Sequence, residues 1–289
     1  MKGKVHMGKV KIVADSTCDL PQELLERYDV AVIPLCIVMD DVSYFDGEEI
    51  TPDEIYKWAD ANKTTPKTAA VSFEKADKVL RPYMDAGDDI IFMGISSSMS
   101  TTNNVIRLFG EDEEYERLFV IDSQNLSTGI GLQVIKAAIM AKEGKSAEEI
   151  VEAIESARGR VRASFVVDTL TYLARGGRCS AATALVGNVL KLHPEIVVKD
   201  GAMGVNKKYR GQTDSAFLKY AKDLQEALLH AEPERVFITH SGCTDETLGK
   251  LKAFIEELNY FDEIIVNRAG GVISSHCGPQ TMGILFYEK

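Results

Sequence analysis

The sequence predicts an α/β protein of two domains, the first a parallel sheet flanked by helices and the second a mixed sheet with helices. Three observations predict it. Short apolar, β-branched runs alternate with amphipathic stretches through the first half, the βαβα rhythm of a parallel sheet covered by helices. Ser, Thr and Asp stand where those stretches begin and Gly where one ends, as helix caps require. Past residue 160 the character changes, and two strands are joined directly by an Asp-Gly turn. The boundary is placed there, giving domains 1–160 and 161–289. No Pro- or Gly-rich linker marks it, so a tight interface is expected.

The elements follow in order. "KVKIVAD" reads as a buried strand, and "TCDLPQELLERYD" as a helix with Asp19 at its N-cap and Pro21 in its first turn. "VAVIPLCIVM" is the next strand. "TPDEIYKWADAN" is a helix with Thr51 as cap and Pro52 at its first position. "TTPKTAAVSFEKA" approaches a helix that begins near Phe73, with Thr68 or Ser72 as its cap. "DDIIFMGIS", "RLFVIDS" and "SFVVDTL" are short strands, and "TGIGLQVIKAAIMAKEG" is a helix ending at Gly144. "SAEEIVEAIESARGRV" closes the first domain. In the second, two strands flank the turn at Asp200–Gly201. Helix "TDSAFLKYAKDLQEALLH", strand "RVFITHSG", helix "DETLGKLKAFIEELN", strand "EIIVNRAGG" and a terminal strand from Met282 to Tyr287 follow.

Composition narrows the function. Hydrophobic residues make up 45% of the 289 residues, ordinary for a globular protein with room for a cavity. The formal net charge of −11 excludes a general nucleic-acid binder, which needs a basic face to displace counterions. The cysteines, at positions 18, 36, 179, 243 and 277, form no CxxC and are odd in number. They predict neither a disulfide framework nor a zinc site, and a reducing cytoplasm fits them. No run reaches the roughly 18–20 apolar residues of a bilayer span, so no stable membrane insertion is expected. The N-terminal "MKGKVHMGKV" lacks the apolar segment of a signal peptide, and Met7 is an alternative start.

Polar segments collect where strands end, which is where ligands sit in open α/β sheets. "GISSSMSTTNNVIRLF" puts hydroxyls and two asparagines between a strand and a helix. Two readings stand: an anion site built from free amides and Ser hydroxyls, or one capping Ser in a polar loop. "YLARGGRCS" sets Arg175 and Arg178 around a Gly pair, either an anion-binding nest or a tight turn with solvated arginines. "GGVISSHCGPQTMGILFY" opens on a double glycine and crowds Ser274, Ser275, His276 and Cys277 before Gly278 and Pro279. As a triad base, His276 needs a Ser on a GxSxG elbow, and "ISSSMS" has no such frame. As a metal ligand it could be joined by Cys277, His240 or Cys243, in no usual zinc spacing, so no metal is expected. A buried structural histidine is the alternative to one that faces a ligand from a strand bend.

In combination these stretches resemble the DegV family of fatty-acid-binding proteins. "IVADSTCDLP", "VIPLCIVMDD", "PKTAAVS", "GISSSMSTT", "VIDSQNLSTGIG", "TLTYLARGGRCSAATALVGNVLKLHPEI" and "SSHCGPQTMGI" carry the resemblance, from about residue 10 to 288. It implies a bacterial, cytoplasmic carrier with no cofactor and no catalytic activity. A long-chain fatty acid such as palmitate would lie in an apolar pocket between the domains. Thr68, Ser97, Ser100 and His276 map onto the carboxylate ligands, with Ser96 and Gly278 beside them. A separate ATP-dependent fatty acid kinase would phosphorylate the presented carboxylate to an acyl phosphate. The chain departs from the family's Thr-Ser-Gln-Pro at Ala69-Ala70-Val71, from Ser-Gly-Thr at Thr101, and from Gly-Pro-Gly at Gln280. Arg210, in the basic run Lys207, Lys208, Arg210, is expected to face the kinase by charge complementarity; a solvated hairpin is the alternative.

The lipid reading has a physical basis of its own. A few hydroxyls gain little net energy from a well-hydrated carboxylate. Some fifteen buried methylenes at roughly 0.8 kcal/mol each contribute on the order of 12 kcal/mol before ordering costs. The tail would set affinity and the polar cluster orientation. Two competing readings remain: an acyl hydrolase using a Ser near 97 with His276 as base, and a structural or regulatory protein whose pocket is incidental.

Overall fold

The computed structural model describes residues 9–183 and 192–289. The Met7 start and the "ALVGNVLK" part of the family-like stretch lie outside the described residues. In chain order the strands of the first half are β1 (Val10–Asp15), β2 (Ala31–Ile33), β3 (Cys36–Met39), β4 (Val42–Phe45), β5 (Lys67–Ala69), β6 (Asp89–Gly94) and β7 (Leu118–Asp122). The helices between and after them are α1 (Gln22–Arg27), α2 (Pro52–Asn62), α3 (Phe73–Ala86), α4 (Thr102–Asp112), α5 (Thr128–Lys142) and α6 (Ala147–Ala157). The second half holds β8 (Val161–Val167), α7 (Thr171–Gly176), α8 (Ser180–Thr183), β9 (Leu192–Lys199), β10 (Ala202–Arg210), α9 (Thr213–Asp223) and α10 (Gln225–Leu229). It ends with β11 (Ala231–His240), α11 (Asp245–Glu257), β12 (Glu263–Arg268), α12 (Gly271–Cys277) and β13 (Thr281–Glu288).

The fold class read from the sequence holds. β2-β1-β6-β7 form a wholly parallel sheet. β10-β9-β8-β13-β11-β12 form a mixed sheet in which the β11–β12 pair is parallel. Alternation along the parallel strands sorts the core. Ile12, Ala14, Ile91 and Met93 point to the α5–α6 side, while Val13, Ile90 and Phe92 face α3 and α4. The α5–α6 layer is shared: Ile130, Ile135, Ile150 and Ile154 also pack in one cluster with Ala163, Phe165 and Leu285 of the second sheet. One apolar core therefore runs through both halves, which accounts for the missing linker. The far face of the second sheet is closed by α9, α10 and α11 through Phe217, Tyr220, Leu228, Leu251 and Ile255.

Several local expectations hold. Thr51 and Glu54 close a capping box at the start of α2, with Pro52 behind the cap. Ser72, not Thr68, caps α3. Asp200 (φ 50°) and Gly201 (φ 78°) make the two-residue turn between β9 and β10. Others change. "VAVIPLCIVM" is two strands, because Pro34 has no N–H to continue the ladder. β2 pairs with β1, and β3 leaves to join the small antiparallel sheet β4-β3-β5. Asp19 does not cap α1: its left-handed backbone (φ 51°) ends the 3-10 turn Ser16–Cys18, its carboxylate accepts from Ser127 and Gly270, and Pro21 occupies the N-cap position. The segment after β12 is the short helix α12, not a strand bend.

Candidate functional site

A cavity of about 490 Å³ opens between the two halves, within the usual range for small-molecule sites. Four segments build it. β5 pairs with β3, which sets Thr68 opposite Ile37. The loop after β6 contributes Ile95 and the run Ser97 to Thr101, ending at the start of α4. The turn after α7 contributes Arg178, and α12 contributes Val272, Ile273, His276 and Cys277. Leu35, Leu126 and Met203 complete the walls. Ser97, Ser98 and Thr101 are exposed, whereas Leu35, Ile95, Leu126, Val272 and Ile273 are buried, so the cavity is polar toward solvent and apolar inside. Leu126, Ile273 and Cys277 also border a smaller apolar void of about 30 Å³ that reaches Phe165 and Leu285.

The structure brings Thr68, Ser97, Ser100 and His276 into one lining. Thr68 Oγ1 lies 2.8 Å from His276 Nε2, joining β5 to α12 across the cavity. Burial, aided by the Arg178 charge, lowers the His276 pKa to about 4, so the ring is neutral. Its Nδ1 is buried with no hydrogen-bond partner among the described residues. That nitrogen packs on Gly176, where a methyl group would collide with it. An unpaired buried N–H costs more than an unpaired ring acceptor, so the proton belongs on Nε2. Nε2–H then donates to Thr68 Oγ1, which leaves the Thr68 hydroxyl proton free for a third group.

The Ser-rich loop is held from beneath. Asn103 Nδ2 donates to the Ile95 carbonyl (2.8 Å) and to Ser97 Oγ (3.2 Å). Ser100 Oγ accepts from the Thr102 amide (3.2 Å), so it helps cap α4 while it lines the cavity. Capping and lining, set against each other in the sequence, coincide here. Ser96 and Gly278 do not join the lining. Ser96 is buried and donates to the Gly201 carbonyl at 2.6 Å, tying the loop to the β9–β10 turn. Gly278 is left-handed (φ 76°), and a Cβ there would stand 2.6 Å from the Tyr172 ring, so its small size serves α7 packing. Arg210 sits at the exposed end of β10, outside the lining. Arg178 reads in the sequence as part of either an anion-binding nest or a tight turn with solvated arginines. Its guanidinium donates to the Gly176 carbonyl (2.7 Å) and the Met99 carbonyl (3.3 Å), which fixes a positive charge at the cavity. Leu126, Val272 and Ile273 gave no separate signal, since they read as ordinary core.

Fold and cavity together define an α/β protein with a crevice between two sheets, apolar within and rimmed by hydroxyls, one neutral histidine and one arginine. A model of the DegV family, whose description is that of an uncharacterised protein, matches residues 9–289. The chain belongs to the DegV family. It is 33% identical to a DegV domain-containing protein of Clostridium acetobutylicum, over 98% of this chain and all of that one. It is 34% identical to another from Caldanaerobacter subterraneus subsp. tengcongensis, with the same coverage. Among solved structures it is similar to a fatty-acid-binding DegV family protein from Thermus thermophilus. That match has a TM-score of 0.88 and 32% identity, over 97% of this chain and 100% of the other. A stearic-acid-binding protein from Eubacterium ventriosum matches with a TM-score of 0.83 and 28% identity, over 97% and 98% of the two chains. No described helix is long and apolar enough to cross a membrane.

Proposed function

We propose that this protein carries one long-chain fatty acid, such as palmitate or stearate, with its carboxylate at the Thr68–His276 pair and its tail along Leu126, Val272 and Ile273. The observation that carries the reading is the cavity itself: buried apolar walls end at hydroxyls and a neutral imidazole, the arrangement an amphipathic acid needs. The fatty acids bound by the Thermus and Eubacterium relatives support it. In this reading Thr68 donates its free proton to the carboxylate, and His276 acts behind it by donating to Thr68. Ser97 and Ser100 supply further hydroxyls, and Arg178 supplies long-range attraction. Residues 1–160 and 161–289 are the two domains that clasp the acid.

The carrier would act in the cytoplasm and present the carboxylate to a separate ATP-dependent fatty acid kinase. Its donors at the head group are largely neutral, which leaves the carboxylate a better nucleophile than a bidentate arginine clamp would. The hydrolase alternative is disfavoured by geometry. His276 Nε2 is directed at Thr68, Ser97 Oγ is bonded to Asn103, and no carboxylate orients His276 Nδ1 among the described residues. The test is titration of delipidated protein with saturated acids of about twelve to twenty carbons. Saturable one-to-one binding is expected; failure of every acid to bind would reject the carrier reading.

A further inference from the structure

The double glycine at the start of α12 is not explained by the cavity, since neither Gly270 nor Gly271 lines it. Both meet carboxylates. Asp19 Oδ1 accepts from the Gly270 amide at 2.8 Å, and Asp46 Oδ1 accepts from the Gly271 amide at 2.7 Å. A Cβ on Gly270 would stand 3.1 Å from Asp19 Oδ1, and one on Gly271 only 2.9 Å from Asp46 Oδ1. The glycines are what allow the two acids to reach the helix start. The acids are themselves fixed. Asp19 Oδ2 accepts from Ser127 Oγ (2.5 Å) and Asp46 Oδ2 from Ser16 Oγ (2.9 Å). Ser16 Oγ in turn accepts from the amide of Leu35, a cavity residue.

α12 has seven residues, far too few to hold a position by its own hydrogen bonds. Its place is set by its ends. One end is gripped by the two acids of the first half, and the other carries His276 to Thr68. We propose that Asp19 and Asp46 are positioning residues of the head-group site, which hold the start of α12 and through that helix fix His276 against Thr68. The inference rests on the fatty-acid reading for its consequence but not for its geometry.

The test therefore has two arms. In ligand-free protein, ¹⁵N–¹H NMR follows the Nε2-protonated signature of His276. In the second arm, palmitate affinity is titrated. Asp46→Ala should erase the ordered His276 signal and weaken palmitate binding about tenfold, the scale of a lost helix cap. Asp46→Asn keeps an acceptor for the Gly271 amide and a partner for Ser16, and should restore both readouts to within about twofold of wild type. If Asp46→Ala does not fold, Ser16→Ala, which frees the Asp46 side chain on one side, should give a smaller change in the same direction. An unaltered His276 signature in Asp46→Ala, or in Ser16→Ala if that variant must stand in, would overturn the proposal. So would an Asp46→Asn protein as damaged as the alanine variant. If palmitate binds to none of the proteins, wild type included, the carrier reading fails while the NMR arm still decides this one.

Discussion

A histidine held neutral at a cavity rim is a hydrogen-bond donor with a fixed direction, not a proton shuttle near pH 7. His276 protonates only at about pH 4, because its burial disfavours the imidazolium and Arg178 repels it. Its ring should therefore show no titration near the ordinary value of about 6.5. NMR chemical shifts should stay flat from pH 7.5 to 5, and fatty-acid affinity should not fall with a midpoint near 6.5. The Thr68 contact makes a companion prediction. Thr68→Val removes both the acceptor of Nε2–H and the donor to the carboxylate. It should cost about 1–3 kcal/mol in affinity, and His276→Ala a comparable amount. If Thr68→Val binds palmitate as wild type does, the carboxylate is held elsewhere.

At the scale of elements, what the sequence announced and what it hid have different physical causes. Long apolar runs such as Ile90 to Met93 must be buried on both faces, so they announce β6 directly. β4 and β5 are not legible in the sequence, because short strands with exposed residues such as Val42, Ser43, Lys67 and Ala69 leave no apolar period. α12 reads in the sequence as a strand bend, on its small residues and Pro279. It forms here because acids distant in sequence satisfy its first amides and Ser275 Oγ returns to the Gly271 carbonyl at 2.8 Å. Thr68, Ser97, Ser100 and His276, which line the cavity, are legible through their resemblance to a family pattern. Arg178 is legible only as one of two readings of a turn, and the glycine-bound acids are not legible, since their contacts exist only across the two halves. The β9–β10 hairpin carries its own prediction. Lys207 is engaged with Asp223 at 2.5 Å, while Arg210 ends the strand in solvent. Arg210→Ala should leave palmitate binding intact and slow phosphorylation of the bound acid by a fatty acid kinase several-fold at low salt. The deficit should shrink as salt screens the wild-type attraction. Equal apparent kinase affinity across a salt series would remove Arg210 from the interface.

The whole molecule is tuned by three buried acids, two of which, Asp19 and Asp46, bond the second half across the junction. Asp15, Asp19 and Asp46 are each under 8% exposed, and each is pushed up by burial first and by one another where they are close. Asp15 rises to about 6 and Asp19 to about 8; Asp46 rises as well. Hydrogen bonds from Thr17 and Ile95 to Asp15, from Ser127 and Gly270 to Asp19, and from Ser16 and Gly271 to Asp46 offset only part of that burial, and no free cation adds to them among the described residues. The buried Cys18 thiol is neutral, and Arg268, which lines a second pocket together with Asp19 and Asp46, is paired with Asp53. A carboxyl whose pKa is raised on folding binds its proton more tightly in the folded state. The stability it contributes is complete below the unfolded value near 3.9 and is lost as pH climbs through the folded value. His276 acts with the opposite sign: its pKa is lowered, so its contribution is complete above about 6.5 and lost as pH falls toward 4. The two trends oppose each other between pH 4 and 6.5, but from 6.5 to 8 the His276 contribution is constant, Asp15 has passed its folded value, and Asp19 still loses stability. The urea midpoint should therefore fall as pH rises from 6.5 to 8. Asp19→Asn keeps the left-handed backbone that Asn tolerates and removes the ionisation, so it should flatten that slope. A wild-type midpoint that stays level or rises across this window would mean that the halves are held together without protonated acids at their junction.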